Sequence, residues 1–368
     1  MGNTARAIVA AIALCVALAA CTDSDETPPI VAAERVGYAA AVDRVMAQHH
    51  LPGAVVGVYV PGRPDWVLAR GLADIEHRVP MSADLNFPIR SITKSVTVTA
   101  ILQLVQDGTL GLDDPIAKYV PGIPNGTRIT LAQLAGMESG VKNYTEVPAF
   151  IDALSKDFFR PWTAAEIVGY AIPASPVFEP GAQYDYSNTN TLLLGMVVEA
   201  VTHAPIVDSY RQRIWAPLGL TATSYPQTSG LPAPHPMPYE VDPATGATEL
   251  LPLINLSSLG AAGGIVSTLA DLRVWGEALA TGRLISPGLQ AQRMARARPA
   301  TNGPEYDVYG LGMGRLKGWW GHSGDALGFH VAVFRDPVSG TVIAVLLNSS
   351  QPGNIATEMF KALADVPR

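Results

Sequence analysis

Two pairs of apolar, β-branched runs lie at opposite ends of this 368-residue chain. The first pair is Ala54-Val55-Val56-Gly57-Val58-Tyr59-Val60 and residues 66–70, divided by the turn Pro61-Gly62-Arg63-Pro64. The second is residues 329–334 and 341–347, divided by Asp336-Pro337-Val338-Ser339-Gly340. Each pair has the composition and turn chemistry of a β-hairpin. Helical patterns at 32–49 and 356–363 stand outside them. One antiparallel sheet, built from both chain ends and flanked by helices, satisfies all of these signals.

The residues between behave differently. Positions 112–254 carry several helical patterns and many prolines, and 231–252 is proline-rich and irregular. They read as a mostly helical subdomain inserted into the α/β part. Helical spacing resumes near 268–279. The expected fold class is therefore α/β over residues 34–365, with the insertion at about 112–254. A 48% hydrophobic and 15% charged composition is ample for such a core. The net charge of -7 and the lack of any basic run argue against nucleic-acid binding.

The first chemical signal is Ser91-Ile92-Thr93-Lys94. On a helix, residues three apart share a face, so the lysine reaches the serine hydroxyl and can activate it. Ser-x-x-Lys is weak alone, and Ser139-Gly140-Val141-Lys142 is a second copy. Context separates them. Ile92, Val96, Ile101, Leu104 and Val105 keep helical spacing, Gly108 is a stop, and Pro88 sets Ser91 near the helix start. Free N–H groups and the helix dipole there favour an alkoxide and lower the lysine pKa. Ser139, followed by glycine and a polar stretch, reads as a surface turn.

The second signal is Tyr184-Asp185-Tyr186-Ser187-Asn188. A tyrosine beside a lysine ammonium favours its phenolate and can accept the serine proton. Asn188 would donate to a substrate carbonyl and hold the lysine. The third is Gly321-His322-Ser323-Gly324-Asp325, whose small residues let a substrate approach a strand edge. A backbone N–H there would complete an oxyanion hole with that of Ser91. The Gly-x-Ser-x-Gly nucleophile turn is not met, because Asp325 stands at its fifth position and a strand follows. His49, His50, His77, His203 and His235 lack metal-ligand spacing, and no glycine-rich nucleotide loop occurs; no cofactor is expected.

The N-terminus reads as an export signal over residues 1–20. Arg6 precedes the apolar stretch 7–20, which is too short for a comfortable membrane span. Leu18-Ala19-Ala20-Cys21 resembles a bacterial lipobox, implying cleavage before Cys21 and lipidation of its thiol. Cys15 and Cys21 are the chain's two cysteines, so the mature chain has no internal disulfide. Residues 21–33 read as a polar tether. The expectation is a protein lipid-anchored through Cys21 on the extracytoplasmic face of a bacterial membrane.

Together the three segments, in this order, resemble the serine β-lactamase and penicillin-binding superfamily. The similar branch holds class C β-lactamases, D-alanyl-D-alanine carboxypeptidases and related esterases. The carrying residues are 87–95, Pro180-Gly181 with 186–190, and Gly321-His322-Ser323-Gly324. Supporting stretches are 217–220, 262–268 and 309–313. The resemblance implies that Ser91 is acylated, and that Lys94 and Tyr186 take and return its proton as a coupled pair. It implies that Asn188 orients the acyl side chain and that His322 and Ser323 line the opposite wall. The N–H groups of Ser91 and Asp325 would form the oxyanion hole.

One departure stands out. The third motif of most penicillin-recognising members begins with lysine, and here it is His322, expected to be partly charged near neutral pH. Arg315 is the candidate for the missing positive charge. The expected function is a serine hydrolase acting on D-alanyl peptides of the cell wall or on β-lactams. The alternatives are a carboxylic esterase with the same residues and a penicillin-binding lipoprotein without turnover.

Overall fold

The structure, a computed structural model, describes residues 29–367. The expected signal 1–20, Cys21 and most of the tether lie outside the described residues. Among these, nine strands form the main sheet. They are β1 (Gly53–Tyr59), β2 (Trp66–Asp74), β3 (Val79–Pro80), β4 (Arg298–Pro299), β5 (Val308–Tyr309), β6 (Gly314–Leu316), β7 (Trp319–Ala326), β8 (Phe329–Arg335) and β9 (Val342–Leu347). Their spatial order is β3-β2-β1-β9-β8-β7-β6-β5-β4, so the two chain ends meet at β1 and β9. That junction is antiparallel, running from Ala54 opposite Leu347 to Tyr59 opposite Val342.

Every residue of β1 and β9 is buried. Near-continuous Val, Ile and Leu suit strands covered on both faces. Val342, Ala344 and Leu346 pack toward the helices α2 (Ile92–Gln106) and α3 (Leu269–Thr281). Ile343, Val345 and Leu347 pack toward α1 (Pro29–Gln48) and the closing helix Ile355–Ala364. The expected α/β architecture, an antiparallel sheet flanked by helices, is therefore present.

Helices also dominate the stretch between, including Pro148–Lys156 and Asn188–Thr202. Residues 231–252 differ from the irregular coil expected. Tyr239–Val241 pairs antiparallel with Thr248–Leu250 and parallel with Ser349–Ser350. The small three-stranded sheet forms because the far chain end supplies an edge that local sequence does not show. Among the described residues no single helix is long and apolar enough to cross a membrane.

The helix α2 sits between the main sheet and the helical region, and residues 92–104 are all buried. A helix buried all round must satisfy its polar side chains internally. Ser95 Oγ donates to the Ile92 carbonyl at 2.6 Å and accepts from Trp275 Nε1 at 2.9 Å. Thr97 Oγ1 donates to the Ala261 carbonyl at 2.8 Å, and Gln103 Nε2 to the Arg213 carbonyl at 3.0 Å. These bonds fix the rotation of α2, and with it the direction of its first turn.

Candidate active site

Ser91 is the N-cap of α2, with φ -63° and ψ -10°, and its side chain makes no capping bond. The hydroxyl is left for another partner. Lys94 Nζ lies 2.8 Å from Ser91 Oγ and donates to the Ala262 carbonyl at 2.8 Å. Lys94 is fully buried, and burial holds its pKa well below the usual lysine value. An amine whose pKa is lowered in this way is more readily deprotonated, the form that accepts a serine proton. The Ser91 N–H finds no backbone acceptor among the described residues.

Tyr186 reaches the same point from the loop before Asn188–Thr202. Its ring centroid is 5.1 Å from Lys94 Nζ. Burial pushes its phenol well above the ordinary value, and the neighbouring Tyr306 and Tyr184 add to the rise while Ser91 opposes it. Burial therefore favours the phenol over the expected phenolate. Its hydroxyl is buried without an aligned hydrogen bond.

Asn188 lines the cleft but does not hold the lysine, which is tied instead to Ala262. Its Nδ2 donates to Asn143 Oδ1 at 3.2 Å and Thr145 Oγ1 at 3.1 Å. Both amide hydrogens are thus used, and Oδ1 remains as an acceptor.

The third motif lies within β7 itself, not in a turn ahead of a strand. β6 pairs with Trp319, Trp320 and Gly321 only, so residues 322–326 have a strand neighbour on one side. Gly324 is required there: a Cβ would stand 2.7 Å from the Ile89 carbonyl oxygen and 2.8 Å from the Ser91 nitrogen. Ser323, Gly324 and Asp325 line the cleft. The backbone on either side of Gly324 therefore runs directly against the nucleophile.

His322 corrects two expectations. It is fully buried behind the wall rather than lining it. Its Nδ1 stands 2.6 Å from the Ser323 carbonyl and its Nε2 3.0 Å from Tyr309 Oη. The carbonyl requires a proton on Nδ1, so Nε2 accepts from the tyrosine. Burial, then Lys94, pull its pKa down to about 3, so the ring is neutral rather than partly charged. Arg315 is also displaced from its expected role. It lies opposite Trp320 in the β6–β7 pairing, its Cζ 5.6 Å from the Trp320 ring centroid, and it does not line the cleft.

Ser139 is not a surface residue. It is buried and donates to Asn190 Oδ1 at 2.6 Å, while Lys142 pairs with Glu146. The second Ser-x-x-Lys is thus separated into a buried turn and a local ion pair.

The cleft holds about 800 Å³. Tyr144, Phe150, Ile151, Leu154 and Phe158 form an apolar wall, and Asp325, Glu305 and Asn354 line the other part. The sequence reading missed this wall. The spacing of Phe150, Ile151 and Leu154 on Pro148–Lys156 was its available signal.

A beta-lactamase family profile matches residues 38–367. The chain belongs to the serine β-lactamase family. Within it, the chain is 27% identical over 332 residues to a D-aminopeptidase of Brucella anthropi, covering 85% of this chain and 62% of that one. Thus the chain spans about three-fifths of that relative's length. D-amino acid amidase from Ochrobactrum anthropi SV3 is similar in structure, with a TM-score of 0.80 at 26% identity, covering 90% of this chain and 98% of the amidase. A D-stereospecific amidohydrolase from Streptomyces sp. has a TM-score of 0.78 at 31% identity, covering 92% and 99%. The family and these relatives support a serine-hydrolase reading.

Proposed function

We propose that the protein hydrolyses amides and peptides of D-amino acids through an acyl-enzyme on Ser91. The observation carrying this reading is the buried Lys94 amine 2.8 Å from Ser91 Oγ, at the wall of a large cleft. Neutral Lys94 takes the serine proton as Oγ attacks the amide carbon. The Ser91 N–H and the Asp325 N–H receive the negative charge that develops on the carbonyl oxygen. The Tyr186 phenol, raised by burial, gives a proton to the departing nitrogen and recovers it through Lys94. Water then releases the acyl group by the reverse path.

The choice of amide over D-alanyl-D-alanine or penicillin rests on charge. Those two substrates carry a carboxylate beside the reacting bond. His322 is neutral, Arg315 is turned onto Trp320, and Arg90 is buried. Among the described lining residues the exposed charged groups are Asp325 and Glu305, so no exposed cation meets a carboxylate there. The relatives are a D-aminopeptidase and a D-amino acid amidase, in keeping with a D-aminoacyl substrate.

The test is hydrolysis of D- and L-phenylalanine amide beside acylation by labelled penicillin. Turnover of the D-amide ahead of its enantiomer, lost in Ser91→Ala, is the expected result. Penicillin labelling without amide turnover would overturn the substrate assignment.

A further inference from the structure

Asp325 contributes a backbone N–H to the nucleophile's surroundings, but its side chain has a separate position. It lines the cleft and is 47% exposed. Glu305 lines the cleft too, yet both of its oxygens accept from Lys361 Nζ, at 2.8 and 2.9 Å. Asp325 has no exposed cation beside it among the described residues. Arg90 is near but is 3% exposed, with its Cζ 5.1 Å from the Phe329 ring centroid. Its Nη2 donates to the Leu327 carbonyl at 3.1 Å, and its Nε and Nη1 are closed off from solvent. Arg90 also lines the cleft, but its guanidinium is buried and offsets part of the Asp325 charge from beneath.

A buried histidine seats this carboxylate. The β7–β8 register sets Asp325 opposite His330, which is fully buried. His330 Nδ1 accepts the Ile355 N–H at 3.1 Å, so the ring proton is on Nε2. Nε2 lies 2.9 Å from Asp325 Oδ1, at an angle too oblique for a full hydrogen bond, and has no other acceptor. Moving the carboxylate away would strand a buried donor, which is costly. Oδ1 is thereby kept over β8, and Oδ2 has no hydrogen-bond donor among the described residues.

The position fits one part of the proposed substrate. In an aminoacyl amide the α-amino nitrogen is two bonds from the carbon that Ser91 attacks. The Asp325 carboxylate lines the same cleft as Ser91, one residue beyond Gly324, whose own position abuts the Ser91 nitrogen.

We propose that the Asp325 carboxylate, seated on His330, binds the free ammonium of the substrate's amino-terminal residue and selects substrates with an unblocked amine. This rests on the D-aminoacyl hydrolase reading and names the group that recognises the amine.

The experiment compares D-phenylalanine p-nitroanilide with its N-acetyl derivative, using wild type, Asp325→Asn and Glu305→Gln. Wild type is expected to favour the free amine. The ratio of kcat/KM values, free over acetylated, should fall roughly 10- to 100-fold in Asp325→Asn, mostly through KM, as expected for loss of a charge-assisted contact. Glu305→Gln, with its charge already met by Lys361, should move the ratio less. Equal wild-type rates on the two substrates, or a ratio that collapses in Glu305→Gln but not in Asp325→Asn, would overturn the assignment. The wild-type comparison needs no variant to fold. Hydrolysis of neither anilide nor amide would instead defeat the D-aminoacyl reading itself.

Discussion

At the residue scale, His322 shows how burial decides chemistry that residue type leaves open. An imidazole ordinarily titrates near 6.5, and this one is held down to about 3. The unfolded chain therefore binds a proton at this position that the folded chain refuses. Stability from this group is complete above about pH 6.5 and is lost as pH falls toward 3, on the order of 5 kcal/mol in all. An NMR titration should find an imidazole still neutral at pH 5, with its resonance absent in His322→Gln. A fully protonated set of histidines at pH 5 would contradict this. The motif around His322 was legible, but its charge was not. Of the two tyrosines that enclose it, Tyr309 begins the supporting stretch 309–313, while Tyr306 carried no signal of its own. Lys94 and Tyr186 were legible as neighbours of Ser91. The lowered Lys94 pKa was expected from its place at the helix start, whereas the raised Tyr186 pKa needed its burial.

At the element scale, the meeting of α2 with β7 sets the site. Ser91 and Gly324 approach so closely that only hydrogen fits at position 324. In Gly324→Ala the added methyl would have to push β7 away from the nucleophile. Overpacking of this kind costs about 1–3 kcal/mol, and displacing one oxyanion donor costs about 10²- to 10³-fold in kcat. A drop in kcat of that size with far-UV circular dichroism retained is the expected result; wild-type kcat would refute the close packing. The helix α2 was readable from apolar spacing and its stop at Gly108. Its rotation was not, because Trp275, Ala261 and Arg213 fix it from more than 100 residues away. The strand pairing of residues 239–241 was hidden for the same reason: its partner is at 349–350.

At the scale of the whole molecule, the chain ends build the sheet that carries β7, and the intervening helices bring Tyr186, Asn188 and the apolar wall to face it. Hairpin turns and β-branched runs made the sheet legible from local sequence. The cleft was less so, since its apolar wall and acidic end exist only once the two parts are packed together. The proposed preference for aminoacyl amides over carboxylate-bearing peptides and lactams rests on the cleft's lack of an exposed cation among the described lining residues. The central claim remains covalent: an acyl group passes through Ser91. The direct measurement is mass spectrometry of protein quenched in acid during turnover of D-phenylalanine methyl ester, followed by peptide mapping. A D-phenylalanyl adduct on the peptide holding Ser91, absent from Ser91→Ala, is the expected result. An adduct on Ser139 or Ser323, or one that survives in Ser91→Ala, would contradict the account.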